Sequence, residues 1–303
     1  MVVITADGLS KMFGSRRAVD ALRFEVGRGE VFGFLGPNGA GKSTTIRLLM
    51  GLYRPTAGAA TVLGLDPVRD GAAMRRQVGY LPGELALHPR LTGGQHVSYV
   101  ARARGRTGLG TAGKLAERFE AVLDRPVRTL SKGNRQKIGI ILAVMADPDV
   151  LILDEPTSGL DPLMQAEFER LVRELADEGR TVFLSSHELD QVQRVADRVA
   201  IIRDGQLVVT DTVAGLQASA PRTIEFRFDT PADPGWFSAI EGVSVTGSGA
   251  RHLRLAIRGP VAPVLRAAAA HDPVDITARP ADLDELFLDY YRHDQAKEPA
   301  DAR

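Results

Sequence analysis

The sequence predicts an α/β fold with a mainly parallel sheet covered by helices, followed by a small α+β domain. Short apolar segments alternate with segments whose apolar residues recur at helical spacing, a pattern typical of a parallel sheet. One of these predicted strands, 150–153, ends directly in two acids. Beyond about residue 221, apolar and polar residues alternate instead, as they do in half-buried strands. We therefore predict domains at 1–217 and 221–292 and a disordered tail at 293–303.

Composition limits the classes of function that this chain can have. Of its 303 residues 44% are hydrophobic and 25% charged, which is ordinary for a globular protein, and the formal net charge is zero. A neutral chain lacks the broad basic surface that nucleic acid attracts, so no nucleic-acid partner is expected. The chain has no cysteine, which excludes disulfides, thiolate metal sites and cysteine nucleophiles.

Nothing in the sequence predicts a membrane span or a signal peptide. The N-terminal segment has no basic region followed by an apolar core, and no run approaches the roughly 20 apolar residues that cross a bilayer. The most apolar stretch, 138–153, is interrupted by Asp147, Pro148 and Asp149. Any role at a membrane is therefore expected to need a partner.

The first third of the chain predicts strands and then a helix that follows a glycine-rich loop. Apolar segments between Gly, Asp and Arg clusters predict strands at 2–4, 22–26 and 31–35. A helix is predicted over 42–51, with Gly51 as its C-terminal cap. Residues of about 84–130 lack strand patterning and predict a helical insertion, with flexible joints at 93–94 and around 105–113.

The remaining elements follow from the same two periodicities. Apolar residues at helical spacing predict helices at 131–146 and 163–175, and short apolar runs predict strands at 150–153, 181–184 and 199–202. In the C-terminal part, strands are predicted around 224–228 and 253–257 and helices at 261–270 and 283–291.

A phosphate-binding loop joins the third predicted strand to the helix after it. It reads GPNGAGKST and matches the pattern G-x-x-x-x-G-K-[ST] between a strand and a helix, the context that this motif requires. Glycines let backbone N–H groups face phosphate oxygens, and the helix N-terminus favours an anion. Lys42 is expected to reach the β- and γ-phosphates, and the Ser43 hydroxyl to ligate Mg²⁺. The predicted nucleotide contacts are Gly36, Pro37, Asn38, Gly39, Ala40, Gly41, Lys42, Ser43 and Thr44.

Two acids follow the predicted strand 150–153. Ligand chemistry in α/β folds gathers at the carboxyl ends of strands, where Asp154 and Glu155 stand. We expect Asp154 to hold Mg²⁺ through its water shell and Glu155 to orient or deprotonate an attacking water.

Three further segments make this chain similar to the ABC family of ATPases. Residues 130–134 (LSKGN) with the following RQK resemble the ABC signature, residues 156–161 (PTSGLD) the D-loop, and residues 185–188 (SSHE) the segment that carries the switch histidine. The resemblance covers about residues 1–215. It implies a P-loop NTPase fold of the ABC type, with an antiparallel β subdomain at the N-terminus and a helical insertion.

The resemblance also implies a head-to-tail homodimer with two ATP molecules at its interface. Ser131 and Gly133 of one subunit then contact the γ-phosphate held by Lys42 of the other, and Asp161 contributes from the D-loop. His187 then hydrogen-bonds the γ-phosphate; the alternative is a histidine satisfied within the core. Phe13 stands where the family places an aromatic that stacks on adenine, with ordinary core packing as the alternative.

Two positions depart from the family pattern. Residues 78–84 (VGYLPGE) match the segment that normally carries the Q-loop glutamine, but Gly83 stands at that place, with Glu84 beside it. Asn134 replaces the glutamine that usually closes the signature. Neither change touches Glu155, so hydrolysis is expected to survive.

The signature form, the YLP segment and the ending PADLDELFLDYY resemble ATPases of ABC-2-type exporters, including bacterial drug and antibiotic resistance subunits. This implies a peripheral protein at the cytoplasmic face of a bacterial membrane that powers export through a separate multi-helix permease, with docking around residues 84–103. An ABC importer ATPase and a soluble ABC ATPase without a transport role remain alternatives. A GTPase is disfavoured, because no N-K-x-D guanine motif is present.

Overall fold

The computed structural model describes residues 1–105, 110–219 and 221–279, and the chain divides into two compact units. The first unit is Met1–Thr212, and the second begins at Val213, a few residues before the predicted boundary. The helix predicted at 283–291 and the tail at 293–303 lie outside the described residues. No helix in the described part of the chain is long and apolar enough to cross a bilayer.

The first unit alternates strands and helices along most of its length. Its strands are β1 (Val2–Phe13), β2 (Arg16–Gly27), β3 (Val31–Leu35), β4 (Ala57–Val62), β5 (Val78–Leu81), β6 (Val150–Asp154), β7 (Thr181–Ser186), β8 (Arg198–Arg203) and β9 (Gln206–Thr212). Its α-helices are α1 (Lys42–Leu49), α2 (Gly71–Gln77), α3 (Gly93–Ala103), α4 (Gly110–Arg118), α5 (Lys132–Val144), α6 (Pro162–Asp177) and α7 (Leu189–Val195).

A six-stranded sheet forms the centre of this unit, in the order β5-β6-β7-β3-β8-β9. Every pair is parallel except β8 with β9. The inner strands β3, β6 and β7 are buried along their whole length, which explains their continuous apolar sequences. The predicted mainly parallel sheet is therefore present, and its order places the carboxyl ends of β6, β7 and β3 side by side.

A second, antiparallel sheet pairs β1 with both β2 and β4. Its apolar face packs on the central sheet through an aromatic cluster, in which the ring of Phe24 lies 5.8 Å from Phe32 and 5.9 Å from Phe183. All three rings are buried. This is the antiparallel β subdomain that the family resemblance implied.

The segment between β5 and β6 contains α3, α4, a short 3₁₀ helix (Val127–Thr129) and α5, and no named strand among its described residues. The expected flexible joint at Gly93–Gly94 is wrong, because these glycines form the first turn of α3. Thr92 and Gln95 make a reciprocal capping box there, and a Cβ on Gly93 would lie 2.8 Å from Leu123. Of the second expected joint, residues 110–113 belong to α4, and residues 106–109 lie outside the described residues.

The second unit contains α8 (Val213–Ser219), β10 (Arg222–Phe228), β11 (Val243–Gly249), β12 (His252–Ile257), α9 (Ala262–Ala269) and β13 (Pro273–Arg279). Its four strands form an antiparallel sheet in the order β11-β12-β10-β13. Alternate residues of β10, namely Ile224, Phe226 and Phe228, are buried in one cluster with Phe237 and Val264. The alternation and the helix predicted at 261–270 thus correspond to β10, β12 and α9.

Candidate nucleotide-binding site

A cavity of about 340 Å³ opens at the loop between β3 and α1. It is formed by that loop, by the turn between β1 and β2, and by the residue that follows β6. The lining residues are Phe13, Arg16, Ala18, Pro37, Asn38, Gly39, Gly41, Lys42, Ser43, Thr44 and Glu155. Gly36 and Ala40, also predicted as nucleotide contacts, belong to the same loop but do not line the cavity.

Two glycines of the loop are required by close packing of the backbone. Gly41 adopts φ +112°, and a Cβ on it would lie 2.6 Å from the carbonyl oxygen of Ala18. A Cβ on Gly36 would lie 2.4 Å from the carbonyl oxygen of Ile202. Both distances are shorter than side chains tolerate, so the loop is held tightly against β2 and β8 by its lack of side chains.

Lys42 is the buried cation of the site. Its side chain is 6% exposed, and Nζ donates to the carbonyl oxygens of Gly36, at 2.5 Å, and Pro37, at 3.3 Å. Nζ also lies 3.3 Å from Oε1 of Glu155, an ion pair within the cavity wall. A buried ammonium is costly unless paired, so an anion entering the cavity meets a positive charge whose present partners are one carboxylate and two backbone carbonyls.

Glu155 stands in an unusual backbone conformation at the end of β6, with φ +49°. Residues other than glycine rarely adopt this region, and such strain often occurs at functional sites. Its Oε2 lies 2.8 Å from Nδ1 of His187. Oε1 is buried and, among the described residues, has no hydrogen-bond partner, although Lys42 is near enough for an ion pair. The contact of Oε1 is thus the ion pair with Lys42, which a competing anion in the cavity can replace.

His187 reaches this site from the loop after β7. Its side chain is 47% exposed, which contradicts the alternative of a histidine satisfied within the core. The loops after β3, β6 and β7 therefore bring Lys42, Glu155 and His187 together, because their strands are neighbours in the sheet.

Asp154, the last residue of β6, is 3% exposed. Its Oδ1 accepts a hydrogen bond of 2.5 Å from Oγ of Ser185 on β7. Mg²⁺ favours sites with one or two carboxylates, waters and substrate phosphates. A fixed carboxylate at the strand end and the Ser43 hydroxyl in the cavity wall provide oxygen donors of this kind, so the residues present fit the expected ion.

Phe13, the last residue of β1, lines the cavity. Its ring is 44% exposed and packs edge-on against Tyr53, with the ring centroids 5.4 Å apart. Lys11 Nζ lies 5.1 Å from the Phe13 ring centroid. Phe13 is therefore not a core residue, and its partly exposed side chain lines the cavity, so its stacking on adenine stays a prediction.

The signature residues do not line this cavity. Ser131 caps α5 by accepting from the N–H of Asn134 at 3.1 Å. A Cβ on Gly133 would lie 2.5 Å from the carbonyl oxygen of Gly159, so glycine is needed for this approach. Asp161 caps α6 by accepting from the N–H of Met164 at 3.0 Å. These three predicted contacts stand apart from the cavity of their own chain.

At both positions that depart from the family pattern, Asn134 and Gly83, the structure shows what the residue contacts. The Asn134 amide binds the backbone of Val122 in both directions, accepting at 2.8 Å and donating at 3.0 Å. This pairing fixes α5 to the segment after α4. Gly83 lies against the acid of β6, since a Cβ on it would stand 2.9 Å from Oδ2 of Asp154. Glu84 beside it is exposed.

Sequence patterns missed three residues at this site. Arg16 lines the cavity from the β1–β2 turn, where it pairs in register with Phe13. Gln136 on α5 donates to the carbonyl oxygens of Glu155, at 3.2 Å, and Pro156, at 2.8 Å. Ser185 bonds Asp154. The RQ pair after LSKGN was a signal for Gln136, and Ser185 stands in the SSHE segment, where only His187 had a predicted role; no motif marks Arg16.

Comparison with known proteins places these observations in a family. The family model described as "ABC transporter" matches residues 19–158. The chain is 39% identical over 220 residues to the daunorubicin resistance ATP-binding protein DrrA3 of Streptomyces coeruleorubidus, covering 71% of this chain and 70% of the relative. It is 35% identical over 231 residues to the bacitracin transport ATP-binding protein BcrA of Bacillus licheniformis, covering 74% of each.

Other relatives are longer. The match to the probable multidrug ABC transporter ATP-binding protein YbhF of Escherichia coli is 36% identical and covers 72% of this chain but 38% of the relative. Among solved structures, an ATP-binding subunit of an ABC transporter superposes with a TM-score of 0.67 at 30% identity, covering 71% of this chain and 92% of the other. The predicted fold class is thereby confirmed.

Proposed function

The chain belongs to the ABC transporter family as one of its ATP-binding subunits, and we propose that it binds ATP with Mg²⁺ and hydrolyses it to drive export through a separate membrane protein. One observation carries the proposal. A phosphate-loop lysine, the carboxylate that pairs with it and a histidine bonded to that carboxylate meet at the carboxyl ends of three adjacent parallel strands.

In the proposed reaction each group has a separate task. The loop amides and Lys42 bind the β- and γ-phosphates, so Lys42 exchanges its carboxylate partner for the nucleotide. Ser43 and, through water, Asp154 would hold Mg²⁺, which would supply positive charge beside the phosphates. Glu155, released from Lys42, accepts a proton from the attacking water, and His187 orients that carboxylate and faces the γ-phosphate. Phe13 stacks on the adenine.

We propose a homodimer as the active form. Ser131, Gly133 and Asp161 do not line the cavity of their own chain, so a second chain is needed to bring a signature helix to the nucleotide. The N-terminus of α5 suits that task, because it offers a hydroxyl and backbone N–H donors to an anion. Two ATP molecules then lie between two chains, each bound by the phosphate loop of one and the signature of the other.

We propose export rather than import, at the cytoplasmic face of the membrane. The relatives include proteins named for daunorubicin resistance, bacitracin transport and Nod factor export, which favours an exporter over the importer and non-transport alternatives. The chain docks on a permease through the helical insertion. Co-expression with a multi-helix permease should bring the chain into the membrane fraction, and firm membrane binding without any such protein would contradict this part of the proposal.

Replacement Glu155→Gln tests the chemistry directly. The amide keeps the shape of the side chain but accepts no proton, so kcat should fall by about 10²- to 10⁴-fold. ATP binding should persist, because the phosphate loop is intact and Lys42 loses a competing carboxylate 3.3 Å away. ATPase rate, nucleotide affinity and dimer formation with ATP are measured together.

The matched control is Glu178→Gln, which removes the same charge from a carboxylate that is 61% exposed near the end of α6. It should behave as the wild type. Wild-type turnover in Glu155→Gln would refute the assignment of the base, whereas absence of Mg²⁺-dependent ATPase activity in the wild-type dimer would refute the proposed function itself.

A further inference from the structure

We propose that Ser185 is a positioning residue that holds both acids of the site, an inference that rests on the proposed ATP hydrolysis. Ser185 is fully buried near the carboxyl end of β7. The parallel register of β6 and β7 places it directly beside Asp154. A buried hydroxyl in a sheet needs hydrogen-bond partners. Those of Ser185 are the carboxylate of Asp154 and the backbone N–H of Glu155.

The hydroxyl is used in both directions. Its Oγ donates to Oδ1 of Asp154 at 2.5 Å and lies 3.2 Å from the backbone N–H of Glu155, which donates to it. The carbonyl oxygen of Ser185 accepts from that same N–H, also at 3.2 Å. A serine hydroxyl has one donor and two acceptor positions, so one atom fixes a carboxylate and a backbone amide at the same time.

The two contacts matter for different reasons. Asp154 must present its outer oxygen toward the Mg²⁺ shell, and a charge-assisted bond to Oδ1 selects one rotamer of that carboxylate. Glu155 must keep φ +49°, which aims its side chain at Lys42 and His187. Its N–H is anchored only while it points at Ser185. Loss of the hydroxyl therefore frees the Asp154 carboxylate and leaves the Glu155 N–H with the Ser185 carbonyl oxygen as its one acceptor, so the effect on metal binding comes first and the effect on base placement second.

Other hydroxyls of the same strand provide a comparison. Thr181, at the opposite end of β7, is equally buried, and its Oγ1 bonds the backbone of Gly27 and Gly29. It is far along the strand from the acids. A change at Thr181 therefore removes a buried hydroxyl from β7 without altering the site.

The experiment compares Ser185→Ala with the control Thr181→Val in the full chain. Two quantities are measured: the ratio of ATP affinity with Mg²⁺ to that in EDTA, and the steady-state kcat and KM. In Ser185→Ala, kcat and the Mg²⁺-dependent gain in affinity should each fall by about 10- to 100-fold, the range for groups that orient metal ligands. Affinity in EDTA should stay unchanged, because the loop and Lys42 are untouched. Thr181→Val should match the wild type in kcat, in KM and in the ratio of the two ATP affinities.

A merely structural role predicts something else: both variants lose stability, and neither changes the Mg²⁺ ratio. Equal ratios in the two variants would overturn the proposal. Ser185→Cys covers the case in which Ser185→Ala does not fold, since a thiol is a weaker donor of similar shape. Wild-type kcat and Mg²⁺ ratio in Ser185→Cys would also overturn it. The wild-type measurement distinguishes failure of the proposed function from failure of the Ser185 proposal. A wild-type chain without ATPase activity refutes the proposed function, whatever the role of Ser185.

Discussion

Placing a side chain at Gly83 should damage the site, even when that side chain is the glutamine of the family pattern. A Cβ at this position lies 2.9 Å from Oδ2 and 3.1 Å from Cγ of Asp154. Comfortable contacts between heavy atoms need about 3.5 Å, so the loop or the carboxylate must move by roughly half an ångström. Asp154 is buried and bonded to Ser185, which leaves most of the movement to the loop.

Overpacking of this kind typically costs about 1–3 kcal/mol. Because Gly83 is exposed and its loop can yield, we expect about 1–2 kcal/mol for Gly83→Ala at the low end of that range. In a unit of this size each kcal/mol lowers the melting temperature by about 2–4 °C. Displacement of Asp154 should also raise the Mg²⁺ concentration that gives half-maximal ATPase activity, and Gly83→Gln should lower turnover instead of improving it.

The assay is thermal unfolding together with a Mg²⁺ titration of ATPase activity. The control is Gly113→Ala in α4, where a Cβ meets no atom within 4 Å. That change should stabilise the helix by about 0.5–1 kcal/mol. If Gly83→Ala proves as stable as the wild type and keeps its Mg²⁺ dependence, the close packing of Gly83 on Asp154 does not constrain the site and the reasoning fails.

Three other replacements test the neighbouring contacts. Gln136→Ala should lower the free energy of unfolding by about 1–3 kcal/mol, because the buried carbonyl oxygen of Pro156 loses its donor, while that of Glu155 keeps a bond from the N–H of Ser158; urea unfolding would show a smaller loss for the control Gln165→Ala, which removes one bond of 3.3 Å. Arg16→Gln should weaken ATP binding most at low salt, since the cation lines the cavity, whereas Arg17→Gln, whose arginine is paired with Asp20 at 2.8 Å, should not; equal salt dependence would refute this. A hydrogen bond from Arg118 lowers the pKa of Glu174, so the stability lost in Arg118→Ala, about 1 kcal/mol or less for partly exposed ions, should be present above pH 4.5 and vanish as the pH falls through that lowered pKa; a loss that persists in acid would contradict it.

The parts of the site that sequence reasoning found are those whose residue types follow from phosphate chemistry. A backbone that wraps an anion needs glycines, here Gly36 and Gly41, and a cation, here Lys42. The loop can therefore be recognised from nine consecutive residues of the sequence. Ser185 and Gln136 stand beside recognised motifs, but the contacts that they make could not be found in this way. Their partners lie 31 and 19 residues away along the chain, and only the register of β6 with β7 and the docking of α5 bring them together.

The fold was predictable where burial is complete and less so at its edges. The fully buried strands β3 and β6 match their predicted limits to within a residue. Strand β4 (AGAATV) was missed because it is largely exposed and made of small residues, and β9 because its residues alternate between exposed and half-buried positions. The error at Gly93 has a local cause, since a capping box outweighed the low helix propensity of two glycines.

Gln136 ties the start of one helix to the end of one strand, and this has a thermodynamic consequence. In the proposed dimer the same helix, α5, would present Ser131 to the neighbouring chain, while the strand end carries the acids proposed to act on this chain's own nucleotide. Binding at one half-site of a subunit is therefore energetically coupled to binding at its other half-site. If α5 shifts when it binds the neighbour's nucleotide, the shift changes the affinity of this chain for its own nucleotide. By reciprocity, binding of this chain's own nucleotide must change the affinity of α5 for the neighbour's nucleotide by the same factor. In the proposed dimer this amide would therefore carry part of the cooperativity between the two ATP molecules, and Gln136→Ala should reduce that cooperativity.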